Sequence, residues 1–331
     1  MHSRGEVRSF LQSCANYWLR TFHFDGLRMD AISRIIYWHG DEKRGVNGNA
    51  VDFIKYMNQG LKDRNPGCFL AAEDSTNFAN VTKSVSEGGL GFDYKWDMGW
   101  MHDTLSYFQM SPDDRYNNYH KLTFSMMYYY NEKFLLPLSH DEVVHGKATI
   151  LQKMYGDYDI KFPQARAFYM YMMVHPGKKL NFMGNELGQF REWDEKREQD
   201  FMLLDFPIHR AFNNYIADLN KNYLSHSAFF GKEYDYDGFK WLDCNSPDRL
   251  MYSILREDNK SRIFAIFNFS KYEQIDYRIE LPDNKGVNIL MNSDWKCYGG
   301  DADENNVFWH IDGNTLTCTM PRFSAALFEL K

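Results

Sequence analysis

Three acids stand where short apolar runs end. Asp30 follows Phe24-Asp25-Gly26-Leu27-Arg28-Met29, Glu73 follows Cys68 to Ala72, and Asp141 follows Phe134-Leu135-Leu136-Pro137-Leu138 after Ser139 and His140. Their separations of 43 and 68 residues fit one and two β/α units. Arg28 lies two residues before Asp30, so an extended chain points both side chains the same way. A guanidinium beside Asp30 is expected to keep that carboxyl ionised, while Glu73, close to other carboxylates, is expected to be pushed upward and stay protonated. One ionised and one protonated carboxyl is the pair a retaining glycosidase needs. The ionised group attacks the anomeric carbon, and the protonated group delivers a proton to the leaving oxygen. That mechanism requires the Asp30 and Glu73 carboxyls to stand about 5 to 5.5 Å apart. The same acids could instead cap helices, with Arg28–Asp30 an ordinary buried ion pair.

Other chemistries fit less well. His140-Asp141-Glu142-Val143-Val144-His145 superficially resembles a zinc-protease helix, but its histidines are five residues apart. On a helix they would diverge by about 140°, so no metal site is expected there. His120, His175, His209 and His226 have no ligand-like spacing. Gly88-Gly89-Leu90-Gly91 is not followed by a phosphate-binding helix pattern, which argues against a nucleotide loop. Five scattered cysteines, with no C-x-x-C pair, fit reduced thiols better than a disulfide framework. With 38 basic and 45 acidic residues, a net charge of −7 offers no broad cationic field. Nucleic acid and anionic membranes are therefore not expected partners. The amino-terminal residues Met1 to Glu6 show no apolar leader region and no stretch reaches membrane-span length, so a cytoplasmic location is expected. Aromatic residues reach 17% of the 331. Tyr94, Trp96, Trp100 and Tyr128-Tyr129-Tyr130 suit sugar platforms or core packing, and packing is the expectation for the tyrosine run.

The elements that must position the acids follow from periodicity. Val7, Phe10, Leu11, Cys14, Trp18 and Leu19 recur at three-to-four spacing and predict a helix over Glu6 to Phe22. Further helices are predicted over Val51 to Leu61, Phe162 to Val174 and Ile208 to Tyr223, with a strand over Lys179 to Met183 ending at Gly184-Asn185-Glu186. Strands alternating with helices imply a parallel sheet, and polar clusters at each strand end give the layout of a β/α barrel. From about Ser227 the pattern becomes short strands separated by turns: Leu250 to Leu255, Arg262 to Phe269, Tyr277 to Leu281, Val287 to Met291, Thr315 to Met320 and Ala325 to Leu330. Such a tail reads as an antiparallel β-sandwich. The expected division is thus barrel over residues 1–226 and sandwich over 227–331.

Longer segments carry a family resemblance. Asp25-Gly26-Leu27-Arg28-Met29-Asp30-Ala31, Ala72-Glu73-Asp74-Ser75-Thr76 and Leu138-Ser139-His140-Asp141-Glu142-Val143-Val144-His145-Gly146-Lys147 resemble the second, third and fourth signature regions of the α-amylase superfamily. Gly89 through Asp103 and His175-Pro176-Gly177-Lys178-Lys179 narrow the likeness to bacterial glycogen branching enzymes. The resemblance implies Asp30 as nucleophile, Glu73 as general acid/base and Asp141 as transition-state stabiliser. It implies that Arg28 orients Asp30 and that His140 hydrogen-bonds sugar hydroxyls. The implied reaction cleaves an α-1,4-glucan, holds the segment on Asp30 and passes it to a 6-hydroxyl, building branches in glycogen. It requires neither metal nor organic cofactor. Met29, Asp74, Tyr155 and Phe201 depart from commoner residues without removing a catalytic group. Another α-glucan hydrolase, or a non-catalytic glucan-binding remnant, are the competing readings.

By the same comparison the chain begins at the helix before the fourth barrel strand, a partial TIM (β/α)8 barrel of about strands 4–8 followed by the sandwich. The amino-terminal carbohydrate-binding domain and the first three strands would be lacking. An unclosed parallel sheet exposes apolar surface and an unpaired edge. The expectation is a fragment that is inactive alone or needs the missing amino-terminal half of the barrel as its partner.

Overall fold

In the computed structural model, residues 5–331 are described; Met1 to Arg4, part of the stretch read above for a leader, lie outside them. Five strands form a parallel sheet in the order of the chain: β1 (Gly26–Met29), β2 (Phe69–Ala72), β3 (Tyr94–Trp96), β4 (Phe134–Leu138) and β5 (Lys178–Asn181). The helical segments along this part are α1 (Gly5–Thr21), α2 (Ser33–Ile36), α3 (Gly48–Arg64), α4 (Met98–Gln109), α5 (Ile150–Lys153), α6 (Tyr158–Val174) and α7 (Pro207–Ser225). Eight further strands complete the chain: β6 (Phe239–Ser246), β7 (Met251–Glu257), β8 (Arg262–Asn268), β9 (Gln274–Glu280), β10 (Val287–Asn292), β11 (Trp309–Asp312), β12 (Thr315–Met320) and β13 (Ser324–Leu330). They build two antiparallel sheets, in orders β10-β13-β8-β7-β6 and β11-β12-β9. The expected partial β/α barrel and all-β tail are both present. The strands β3, β6 and β11 were not foreseen.

Close contacts gather the chain into two bodies: Met1–Gly99 with Ser125–Leu136, and Trp100–Phe124 with Pro137–Lys331. In the first, α1 and α3 cover the sheet. Phe53, Met57 and Leu61 recur every fourth residue of α3 and are buried with Ile54, Leu19, Leu70 and Ala72, the stripe an amphipathic helix needs. Asn47 caps α3 by accepting from Ala50 N at 3.4 Å. Gly60 lets the helices approach, because a Cβ there would lie 2.2 Å from the Gln12 amide. β1 stands first in the sheet order, and Tyr17, Trp18, Phe22, Phe24 and Phe69 expose their rings.

In the second body α6 is buried from Gln164 to Val174, and so reads as apolar on every side. It packs on the all-β part through Tyr171, whose ring meets those of Phe267 and Phe269 edge-on. Ile263, Phe264, Ala265, Ile266 and Phe267 of β8 are all fully buried, as their continuous apolar run implies. α7 begins with Pro207 at its first turn, where a missing N–H costs nothing. Among the described residues no helix is long and apolar enough to cross a membrane.

Candidate active site

Asp30 is the first residue beyond β1, and Glu73 is the first beyond β2. Met29 pairs in register with Ala72, so the two strand ends are level. Glu73 N donates to Met29 O at 3.0 Å, and Ile32 N donates to Glu73 O at 3.0 Å. Glu73 therefore sits on backbone paired at both its N–H and its carbonyl. Arg28 Nη1 donates to Asp30 Oδ1 at 2.8 Å and, in a closer contact, to Glu73 Oε2. The guanidinium expected beside Asp30 serves both acids. A common donor atom brings one oxygen of each carboxyl within a few ångströms of the other. Their surroundings differ: the Asp30 side chain is 73% exposed and that of Glu73 is 17% exposed. The Arg28–Asp30 pair is therefore not buried.

Two neighbours on β3 complete this cluster: Lys95, which was assigned no role from sequence, and Trp96, which was read from sequence as a sugar platform or a packing residue. The Trp96 ring lies beneath Arg28, whose guanidinium carbon is 4.5 Å from the ring centroid. Lys95 Nζ pairs with Asp74 Oδ2 at 2.8 Å and donates to Thr76 O at 2.8 Å. Asp74 also accepts from Thr76 N at 3.1 Å. This ion pair is buried, and its extra hydrogen bonds are what makes such a pair tolerable. The turn after Glu73 is thus fastened from β3.

His140 and Asp141 lie in the other body, in a short helical turn (His140–Val143) after β4. His140 Nε2 is 3.5 Å from Asp141 Oδ1, and both side chains are partly exposed. The rings of Phe182 and Trp193 flank His140 at 5.9 and 6.5 Å. The following loop passes through left-handed backbone at His145, Gly146 and Ala148. Glu192 fixes it by accepting from Gly146 N at 2.9 Å and Ala148 N at 2.7 Å. These two bonds hold the Glu192 carboxyl below its ordinary value of 4.5. Lys153 donates to Ala148 O at 2.6 Å and to Glu142 O. Burial pushes its ammonium group down, opposed by the nearby Glu142 charge. Neither Glu192 nor Lys153 carried a sequence signal, since both act on main-chain atoms.

Tyr129 and Trp100 are fully buried, and Tyr128 donates to Asp97 Oδ1 at 2.7 Å. These aromatics are packing residues. Among the described residues, no group of three or more His, Cys, Asp or Glu is placed to hold a metal ion.

Comparison with known proteins adds to this geometry. Residues 241–331 match the α-amylase C-terminal all-beta domain. The fold is similar to the α-amylase of Geobacillus thermoleovorans complexed with acarbose, with a TM-score of 0.66 at 15% identity, covering 100% of this chain and 65% of that one. It is also similar to the α-amylase of H. orenii, with a TM-score of 0.65 at 15% identity, covering 99% of this chain and 65% of that one. The fold is similar to that of these α-amylases. In sequence the chain is 42% identical over 344 residues to the 1,4-alpha-glucan branching enzyme GlgB 1 of Clostridium perfringens (strain SM101 / Type A), covering 98% of this chain and 51% of that protein. It is 42% identical over 333 residues to the 1,4-alpha-glucan branching enzyme GlgB of Bacillus cereus (strain G9842), covering 98% and 52%. In sequence the chain is similar to these branching enzymes, and it spans about half the length of the curated relatives it matches.

Proposed function

We propose that this chain carries the catalytic acids of an α-glucan branching transferase. Asp30 is the nucleophile, Glu73 the general acid/base and Asp141 the stabiliser of the transition state. Arg28 orients Asp30, and His140 hydrogen-bonds sugar hydroxyls. In the first step Asp30 bonds to the anomeric carbon of an α-1,4-linked glucose while the Glu73 proton passes to the departing oxygen. In the second, the 6-hydroxyl of another chain attacks that carbon, its proton returns to Glu73, and Asp30 is released. The product is an α-1,6 branch, as in glycogen biosynthesis. The observation that carries this reading is the single Arg28 nitrogen shared by one open and one enclosed carboxylate. Such contrasted surroundings are what separate acid from nucleophile in a carboxylate pair. Residues 1–226 form the catalytic part and 227–331 the sandwich, in a cytoplasmic protein whose partner is α-1,4-glucan.

A hydrolase reading is favoured by the α-amylase fold relatives, and differs only in whether water or a sugar hydroxyl attacks the covalent intermediate. The deciding assay incubates the 331-residue chain with amylose, then measures chain lengths before and after enzymatic debranching. New α-1,6 linkages that vanish in Asp30→Asn support the transferase. Shortening without new branches supports the hydrolase. Glycogen affinity with no activity, unchanged in Asp30→Asn, would identify a glucan-binding remnant and sink the proposal.

A further inference from the structure

We propose that Trp96 is the positioning residue of the acid pair: its indole holds the Arg28 guanidinium where one nitrogen reaches both Asp30 and Glu73. The inference rests on the roles proposed above for those acids.

Arginine has a long, rotamer-rich side chain, so two carboxylates alone leave it several ways to be satisfied. A guanidinium has a flat face that stacks on aromatic rings and an edge that donates hydrogen bonds. Here the two are divided. The face meets Trp96 at 4.5 Å, inside the roughly 6 Å range of cation–π attraction, and the edge serves Asp30 and Glu73. Trp96 can act as a fixed support because it is 6% exposed and its strand is paired on both sides. Ala72 pairs with Lys95, and Trp96 pairs with Leu135; Asp97 N donates to Leu135 O at 2.8 Å. The same low exposure leaves no free ring face, which removes the sugar-platform role. Successive strand residues face opposite ways, and the two residues of this strand divide the work accordingly. Lys95 fastens Asp74, the neighbour of Glu73, and Trp96 supports Arg28.

The test uses the whole chain with carboxyl carbons labelled for NMR, the Asp30 and Glu73 signals being assigned from Asp30→Asn and Glu73→Gln. Trp96→Leu should shift the titration midpoint of Glu73 in the same direction as Arg28→Met does, whereas Trp96→Phe, which keeps an aromatic face, should stay close to the unsubstituted protein. A Glu73 midpoint unmoved by Trp96→Leu but moved by Arg28→Met overturns the inference. A second measurement needs no Trp96 variant. In the unsubstituted protein the Arg28 guanidinium protons, assigned by their loss in Arg28→Lys, should be shielded by the indole ring current. Unshielded protons also overturn it. If the chain turns over glucan, Trp96→Leu should lower kcat about tenfold, with KM changed less than about twofold. An equal loss in KM would mark Trp96 as a binding group instead. An inactive chain removes only the kinetic readout, and the titration then decides whether Trp96 governs Arg28.

Discussion

Arg28 turns its guanidinium to two carboxylates and an indole, whereas Arg256 donates from each of its three guanidinium nitrogens to a main-chain carbonyl. Arg256 Nε, Nη1 and Nη2 donate to Gly238 O at 3.0 Å, Val174 O at 2.8 Å and Phe229 O at 2.9 Å. It is completely buried, and it ties the end of α6 to the turns that lead into β6. Arg115 works similarly, donating to Phe269 O at 2.8 Å and to the Gln164 side chain. Burial pulls Arg115 down to about 10 and lowers Arg166 as well. The contrast separates two uses of one functional group. A buried guanidinium facing neutral dipoles is a cross-brace, and its removal strands carbonyls without water. A partly open guanidinium shared by two carboxyl groups, one of them 73% exposed, faces groups that solvent reaches more readily.

Substitution at the two arginines breaks or upholds this contrast. Arg256→Met should cost about 3 kcal/mol or more, since it strips three buried carbonyls of their donor. Arg28→Met should cost less, about 1 kcal/mol, because one of its two partners, Asp30, is 73% exposed. Urea unfolding of both variants measures the difference, and equal losses would show that the first arginine is also a brace. A smaller effect concerns the loop after Asp141. Since two backbone bonds lower the Glu192 carboxyl in the folded protein, its tether is fully present above the ordinary carboxylate range and is lost as pH falls through the lowered value. Hydrogen exchange at Gly146 and Ala148, corrected for intrinsic rates, should show constant protection from pH 7 to about 5 and a decline below about 4.5. Glu192→Gln should abolish that pH dependence, and protection independent of pH in the unsubstituted protein would contradict it.

The acids and their strands were legible because composition changes abruptly there, from Leu70-Ala71-Ala72 to Glu73-Asp74 and from Leu136-Pro137-Leu138 to His140-Asp141. Helix α6 was legible for the opposite reason, an apolar run too long for a strand. β3 escaped because three residues cannot show alternation. β6 escaped because its residues are mostly half-buried, and β11 because exposed His310 and Asp312 interrupt it. Trp96 beneath Arg28, and Glu192 on the amides of Gly146 and Ala148, join segments 68 and more than 40 residues apart. Such contacts depend on where the strands place them, and spacing in sequence does not encode them. The expectation of Arg28 beside Asp30 succeeded because two-residue spacing on a strand fixes direction. It missed the second acceptor, Glu73, which arrives from the neighbouring strand.

The central claim is that Asp30 forms a covalent bond to glucose with Glu73 as its acid. Reaction of the chain with a fluorinated α-glucosyl fluoride, whose electron-poor ring slows release, followed by peptide mass spectrometry, tests it most directly. One glucosyl adduct is expected, on the peptide containing Asp30, and none in Asp30→Asn. An adduct on another carboxylate, or no adduct at all, would contradict it.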